Sequence, residues 1–188
     1  MRGKSPPAFE DIVGELSRPL STYLKRMTGN AADADDLLQE TLLRIARGLP
    51  QFEQRSSVKT WAYRIATTVA IDFFRKTQKD HFVELNDTDD CSDFDEDDRL
   101  VLDEMNTCVR DVIDGLPPDY RAALVLYNLQ GKSVEETARI CEVSVSTAKI
   151  RIHRAKARLQ KALDEKCVFY KSANGNLRCD KKEPSEEN

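Results

Sequence analysis

Arg151, Arg154, Arg158 and Lys161 recur at spacings of three, four and three residues, which aligns them along one face of a helix. Lys149 and Lys156 add positive charge beside that line. Guanidinium and ammonium groups in such an array hold phosphate oxygens, and a planar guanidinium does so with two parallel hydrogen bonds. The segment 145–166 carries seven Lys/Arg, opposed only by Asp164 and Glu165. Its other face is apolar: Ala148, Ile152, Ala155, Leu159 and Ala162 step by four, three, four and three. A plain solvated amphipathic helix has the same pattern, so the flanking elements must decide.

Those elements point to a helix-turn-helix. Ser133-Val134-Glu135-Glu136 fits a capping box opening a short helix to about Cys141. Glu142-Val143-Ser144 is the turn, and Ser144 or Ser146 caps the next helix, which runs from about Val145 to Lys166. Ala138 is small enough for the two helices to approach each other. A recognition helix places its N-terminal side chains at base edges and its cations on phosphates. Ser146, Thr147, Lys149, Ile150 and Arg151 are therefore candidate base readers, and Arg154 and Arg158 candidate phosphate clamps.

The net charge of −4 runs against nucleic-acid binding, but it averages unlike segments. Residues 1–83 carry 13 Lys/Arg against 10 Asp/Glu, and residues 105–166 carry 11 against 8, each a net of +3. Residues 84–104 carry 1 against 11, a net of −10. That acidic stretch has no helical apolar period, and self-repulsion makes it a flexible linker between two units. The expected division is 1–83, 84–104, 105–166 and a tail at 167–188. No apolar run approaches the ~18 residues that span a bilayer, and the N-terminus lacks an apolar signal core. A cytoplasmic protein without membrane insertion is expected.

Both units read as helical. Phe9, Ile12, Val13, Leu16, Leu20, Tyr23 and Leu24 mark a first helix, broken at Gly29-Asn30. A second is expected to start among Asp33, Asp35 and Asp36, with Leu37, Leu38, Leu42, Ile45 and Leu49 as its stripe. After a loop over 51–58, a third runs from about Lys59 to Lys79. Beyond the acidic stretch, a helix from about Leu100 to Asp114 ends at Gly115-Leu116-Pro117-Pro118, and another ends at Gln130-Gly131. The fold class is all-α, as two small helical domains.

With these elements in place, a family resemblance emerges. Leu116-Pro117-Pro118-Asp119-Tyr120-Arg121, Gly131-Lys132-Ser133-Val134-Glu135-Glu136-Thr137-Ala138, Val143 to Lys149 and His153 to Leu159 resemble region 4 of extracytoplasmic-function sigma factors, in the sigma-70 family. Asp33 to Arg44 resembles the region 2 helix that binds RNA polymerase. Lys59 to Ala66 and Ala70 to Arg75 resemble the region 2 helix that reads and melts the −10 element. The resemblance covers about residues 8–83 and 105–165.

This resemblance implies a sigma factor that directs core polymerase to promoters, with an anti-sigma factor as a further partner. Asp36, Gln39, Glu40 and Arg44 match the surface that docks on the clamp coiled coil of the β′ subunit. The loop from Phe52 through Arg55 to Lys59 matches the segment that captures a flipped base. Tyr63 and Lys59 are strand-contact candidates, Arg64 and Arg75 suit phosphates, and Trp61 suits either base contact or core packing. Region 4 would read the −35 element in the major groove. Leu116, Tyr120 and Leu124 suit core packing or contact with the β flap. Three positions depart from the family: Thr68 stands where Asn is frequent, at a position tied to strand separation, Ser146 where Gly is frequent and Ala148 where Val is frequent.

The five cysteines are an odd, scattered set, which disfavours a disulfide framework. Cys167 and Cys179 flank Asn174-Gly175-Asn176, a hairpin turn signal. They are a metal-ligand pair, a reversible disulfide or two unrelated thiols. No nucleophile–base pair, phosphate-cradling glycine loop or paired-carboxylate site occurs, so neither enzymatic activity nor a cofactor is expected. Two other functions fit parts of the pattern: a polymerase-independent helix-turn-helix regulator, and a metal- or redox-responsive DNA-binding sensor acting through the tail cysteines.

Overall fold

A computed structural model describes residues 8–77, 107–171 and 177–181. The first three helices form an N-terminal unit. α1 (Phe9–Thr28) buries Ile12, Leu16, Leu20, Tyr23, Leu24 and Met27, the expected stripe extended by one turn. Gly29 ends it at φ 69, a left-handed geometry that glycine adopts without a Cβ clash, and its amide donates to the Lys25 carbonyl at 2.9 Å.

α2 (Ala31–Gly48) starts earlier than the aspartate pattern predicts. The carboxamide of Asn30 caps it, Oδ1 accepting from the amides of Ala32 at 2.8 Å and Asp33 at 3.3 Å. A neutral side chain that satisfies two orphan donors directly defines the helix start better than the dipole attraction of Asp33, Asp35 and Asp36. α3 (Val58–Thr77) crosses α1 and α2 and buries Trp61, Ala62, Ala66, Val69, Ala70 and Phe74. The acidic stretch 84–104, expected as a linker, lies outside the described residues, as does the expected helix start near Leu100.

The second unit starts with α4 (Thr107–Asp114) and α5 (Pro118–Leu124). α5 passes directly into a π-helical turn over Val125–Leu129, closed where the amide of Gln130 donates to the Val125 carbonyl at 2.9 Å. Such turns widen the helix by one residue and rotate the side chains that follow. α6 (Val134–Cys141) and α7 (Val145–Lys166) complete the unit. The tail then forms an antiparallel hairpin, β1 (Cys167–Lys171) with β2 (Leu177–Lys181), as the turn signal anticipates; the turn residues 174–176 lie outside the described residues. Its register sets Cys167 opposite Lys181 and Cys179 opposite Phe169, so the two cysteines are diagonal, not opposed. Apart from this hairpin the described regular structure is helical.

The second unit has two apolar clusters of its own. Val109, Ile113, Leu116, Leu124, Ala155 and Leu159 form one, with Tyr120 packed against it. Ala123, Tyr127, Val134, Ala138, Ala148 and Ile152 form the other. Leu116, Tyr120 and Leu124 are thus core residues. A third cluster joins the two units: Ala122, Val125, Leu126 and Ile140 are buried together with the core of α1, α2 and α3. The two helical units were expected to be tethered; in this structure they are also packed on each other.

Candidate nucleic-acid interface

The helix-turn-helix forms as the capping chemistry predicts. The Ser133 hydroxyl accepts from the Glu136 amide at 3.1 Å, and the Ser133 amide donates to Glu136 Oε2 at 3.0 Å. That amide bond holds the Glu136 carboxyl below its ordinary value, with help from Lys132. Glu142 ends α6 in left-handed geometry at φ 56, its amide donating to the Ala138 carbonyl. Ser144 caps α7, Oγ accepting from the Thr147 amide at 3.0 Å. The Ser144 hydroxyl is also 2.8 Å from those of Ser146 and Thr147, so the serine and threonine of the N-terminal turn share a hydroxyl network.

On α7, Ala148, Ile152, Ala155, Leu159 and Ala162 are buried as the stripe predicts. Ser146, Lys149 and Ile150 face solvent at its N-terminal end, and Thr147 is half-buried. Val145, 41% exposed, adjoins them; its apolar side chain could contact a thymine methyl, and nothing in the periodicity singles it out. Arg154 and Arg158 are half-buried. Arg151 lies 3.7 Å from Asp119 of α5, an ion pair that draws it toward the rest of the protein.

The loop before α3 builds an open cleft of about 550 Å³. Phe52 and Trp61 line it and pack against each other, with ring centroids 4.8 Å apart and planes inclined by 31°. Gln51, Arg55, Ser56, Thr60 and Arg64 line it too, and Arg139 of α6 reaches it from the second unit. Trp61 is packed in the core, only 9% exposed, and also lines the cleft. Gly48 supports it, because a Cβ there would meet the indole Cζ2 at 3.0 Å. An aromatic pair in a cleft rimmed by cations is the chemistry that an unstacked base needs. Arg55 is splayed into solvent and paired with Glu53 at 2.6 Å.

Trp61, Arg64, Thr68 and Arg75 step by three, four and seven along α3, which continues one face away from the cleft. Thr68 is exposed and donates only to the Arg64 carbonyl at 3.0 Å. Lys59 is exposed outside the cleft lining. Tyr63, expected to contact the strand, is instead 2% exposed beneath the second unit. Its hydroxyl donates to Gln130 Oε1 at 3.3 Å, the Lys132 ammonium lies 5.1 Å from its ring centroid, and burial raises its pKa.

The predicted polymerase surface is a face of α2. Asp36 and Gln39 are exposed, while Glu40 and Arg44 are half-buried. Arg44 donates to Glu40 at 2.7 Å and lies 3.8 Å from Asp72 of α3, so it ties the two helices together. The residue that periodicity missed is Leu43, 51% exposed on this face. The signal was present: Ala34, Leu37, Thr41 and Ile45 fill the buried stripe, and Leu43 falls off it. It adds apolar surface to an otherwise polar face, as single exposed leucines do on many proteins. Among the described residues no cluster of three or more His, Cys, Asp or Glu could hold a metal, and no helix is long and apolar enough to cross a membrane.

Comparison with known proteins agrees with this arrangement. Residues 12–80 match the family described as Sigma-70 region 2, and residues 106–159 match Sigma-70, region 4. RNA polymerase sigma factor SigZ of Bacillus subtilis (strain 168) is 32% identical over 169 residues, covering 90% of this chain and 94% of that protein. ECF RNA polymerase sigma factor SigW of the same organism is 31% identical over 166 residues, covering 83% and 89%. The solved structure of the sigma factor RpoE in complex with the anti-sigma factor NepR, from Bartonella quintana, has a TM-score of 0.61 at 25% identity, covering 83% of this chain and 96% of that one. The chain belongs to the extracytoplasmic-function sigma factors of the sigma-70 family.

Proposed function

We infer that this protein directs core RNA polymerase to promoters, with each reading task assigned to one face. Residues 1–83 and 105–166 act as the two promoter-facing units, separated by the acidic linker 84–104. Asp36, Gln39, Glu40 and Arg44, joined by Leu43, dock on the clamp coiled coil of the β′ subunit. Phe52 and Trp61 receive an unstacked base of the −10 element, with Arg55, Lys59, Arg64 and Arg75 on the phosphates and Thr68 beside the strand. The α7 residues Ser146, Thr147, Lys149, Ile150 and Arg151 read the −35 duplex, with Arg154 and Arg158 as clamps. Tyr63 joins the strand contacts once the second unit moves aside.

The observation that carries this reading is the pairing of an exposed, capped recognition helix with a separate aromatic cleft rimmed by arginines. A free-standing duplex-binding regulator has no use for the cleft. The work is done in the cytoplasm without a catalytic centre of the protein's own. The Bartonella quintana relative was solved with an anti-sigma factor, and by that likeness this chain has such a partner too.

Transcription in vitro with core polymerase on a promoter library tests this function. Start sites that appear only when the protein is added, with shared sequence around −10 and −35, are the expected result. A library with no protein-dependent starts overturns it.

A further inference from the structure

We propose that Val145 and Ile150 set the −35 preference of this protein by packing on the C5 methyl groups of two thymines. This rests on the −35 assignment of α7 above and adds to it the base that is chosen and the side chains that choose it.

Among the described residues, Leu43, Val145 and Ile150 are the large apolar side chains most open to water. Leu43 is on α2, whereas Val145 and Ile150, 41% and 37% exposed, both lie on the first two turns of α7. One exposed apolar side chain is ordinary. Two on the short face that meets the bases call for an account. Neither belongs to the buried stripe of Ala148, Ile152, Ala155 and Leu159, so α7 does not use them for its own packing.

Helical geometry sets them at the two borders of one face. At about 100° per residue, with Val145 at zero, Lys149 falls near ~40°, Ser146 near ~100° and Ile150 near ~140°. Lys149 and Ser146, both exposed, therefore lie between the two hydrocarbon groups. Five residues at about 1.5 Å each separate Val145 from Ile150 by about 7.5 Å along the axis. That is about two base-pair steps of about 3.4 Å.

Several polar groups of this face are already engaged. The Ser144 hydroxyl caps Thr147 and lies 2.8 Å from the hydroxyls of Ser146 and Thr147, so the three bond among themselves. Arg151 is half-buried and 3.7 Å from Asp119, and bidentate recognition of guanine requires it to leave that partner. Lys149 is a point charge on a flexible stem, suited to a phosphate or a guanine edge. Val145 and Ile150 meet a base edge without giving up any hydrogen bond.

In the major groove the apolar substituent on a base edge is the thymine methyl. A valine or isoleucine over the other edges strips water from donors and acceptors and returns no hydrogen bond. The thymine is attracted and its competitors are penalised, so both signs act in one direction. Branching at Cβ leaves each side chain essentially one χ1 rotamer in a helix, so little freedom is lost on contact. The −35 element read by this protein accordingly carries two A·T pairs about two steps apart.

Holoenzyme assembled from the full chain and core polymerase tests this on promoters recovered from the library. Replacing each −35 thymine by uracil, one strand at a time, deletes the methyl and nothing else. Uracil at two positions should weaken promoter binding about fourfold each, the worth of one buried methyl-sized group. Val145→Ala should abolish the uracil effect at one position and Ile150→Ala at the other, each sparing its neighbour's. Both side chains are exposed, so thermal melts of the variants should match wild type. Uracil tolerated at every −35 position overturns the proposal, as do uracil effects that persist in both alanine variants. Recovered promoters with no shared sequence around −35 overturn the −35 assignment itself, so the two failures are told apart.

Discussion

The guanidinium of Arg64 on α3 lies 3.1 Å from the carboxylate of Glu142, at the turn between α6 and α7. One partner lies on the helix proposed above to contact the −10 strand, the other at the turn before the helix proposed to read the −35 duplex. The Arg64 and Glu142 side chains are 41% and 61% exposed, so the pair contributes only about 0–1 kcal/mol, screened by salt. Its interest is positional, because it joins the two helical units.

Glu142 also sits at φ 56, which costs a non-glycine residue about 1 kcal/mol. Glu142→Gly relieves that strain and loses the weak ion pair. Urea unfolding should therefore show stability unchanged or higher by up to about 1 kcal/mol. A loss above 1 kcal/mol would mean that the ion pair is far stronger than its exposure implies.

Arg64→Ala and Arg75→Ala remove one half-buried and one exposed cation from the α3 face. Open-complex formation, followed by permanganate footprinting of unpaired thymines, should fall about tenfold for the double variant. Affinity for core polymerase should stay within twofold. A matching fall in polymerase affinity would relocate these residues to the docking surface.

Leu43→Asp should weaken binding to core polymerase at least tenfold while changing stability by less than about 0.5 kcal/mol, since the side chain is already in water. A pull-down with core enzyme and a thermal melt check the two halves. Unaltered assembly would leave the exposed leucine without a role.

The capping box makes α6 sensitive to acid. The Glu136 pKa is lowered in the folded state, so its contribution is complete above about 4.5 and is lost as pH falls through the folded value. Ser133→Ala should cost about 1 kcal/mol at pH 7. Glu136→Gln keeps a side chain able to cap and should flatten the pH dependence of stability below 4.5. A wild type whose stability changes no more steeply there than Glu136→Gln would contradict the assignment.

Cys141 packs against the shared cluster, and burial pushes its thiol to about 12. At pH 8 the folded chain should hold about a thousandfold less Cys141 thiolate than an unfolded one, with alkylation slowed accordingly. Peptide mass spectrometry after iodoacetamide treatment reads this directly. Because the neutral thiol is favoured in the fold, its contribution is present below about 9 and lost as pH rises toward 12. Leu126→Lys should speed Cys141 labelling; equally fast labelling of wild type and variant would mean the site is open already.

Local chemistry was the part most legible in the sequence. The α6–α7 unit is defined by a capping box, a stripe and a cap within 34 residues, and the structure reproduces each. The start of α2 was harder, because Asn30 and three aspartates are all good N-terminal residues and only geometry shows which side chain reaches the amides. The packing of one unit on the other was not legible. Arg121 reads as an ordinary solvated helix residue, and its partner at Met27 lies 94 residues away. The π-helical turn depends on two faces of one short segment serving different cores, which no single period describes. Leu43 and Val145 were overlooked for the opposite reason: an apolar residue off the stripe is informative only once the stripe's depth is known.

The carbonyls at the end of α1 are bonded by arginines encoded far downstream. At about 5–20 residues per second, Arg121 leaves the ribosome some 5–20 s after Met27. For that interval the nascent first unit holds its α3 face and the carbonyls of Arg26 and Met27 without those partners. Water is the bonding partner left to those carbonyls until the arginines that replace it have been made.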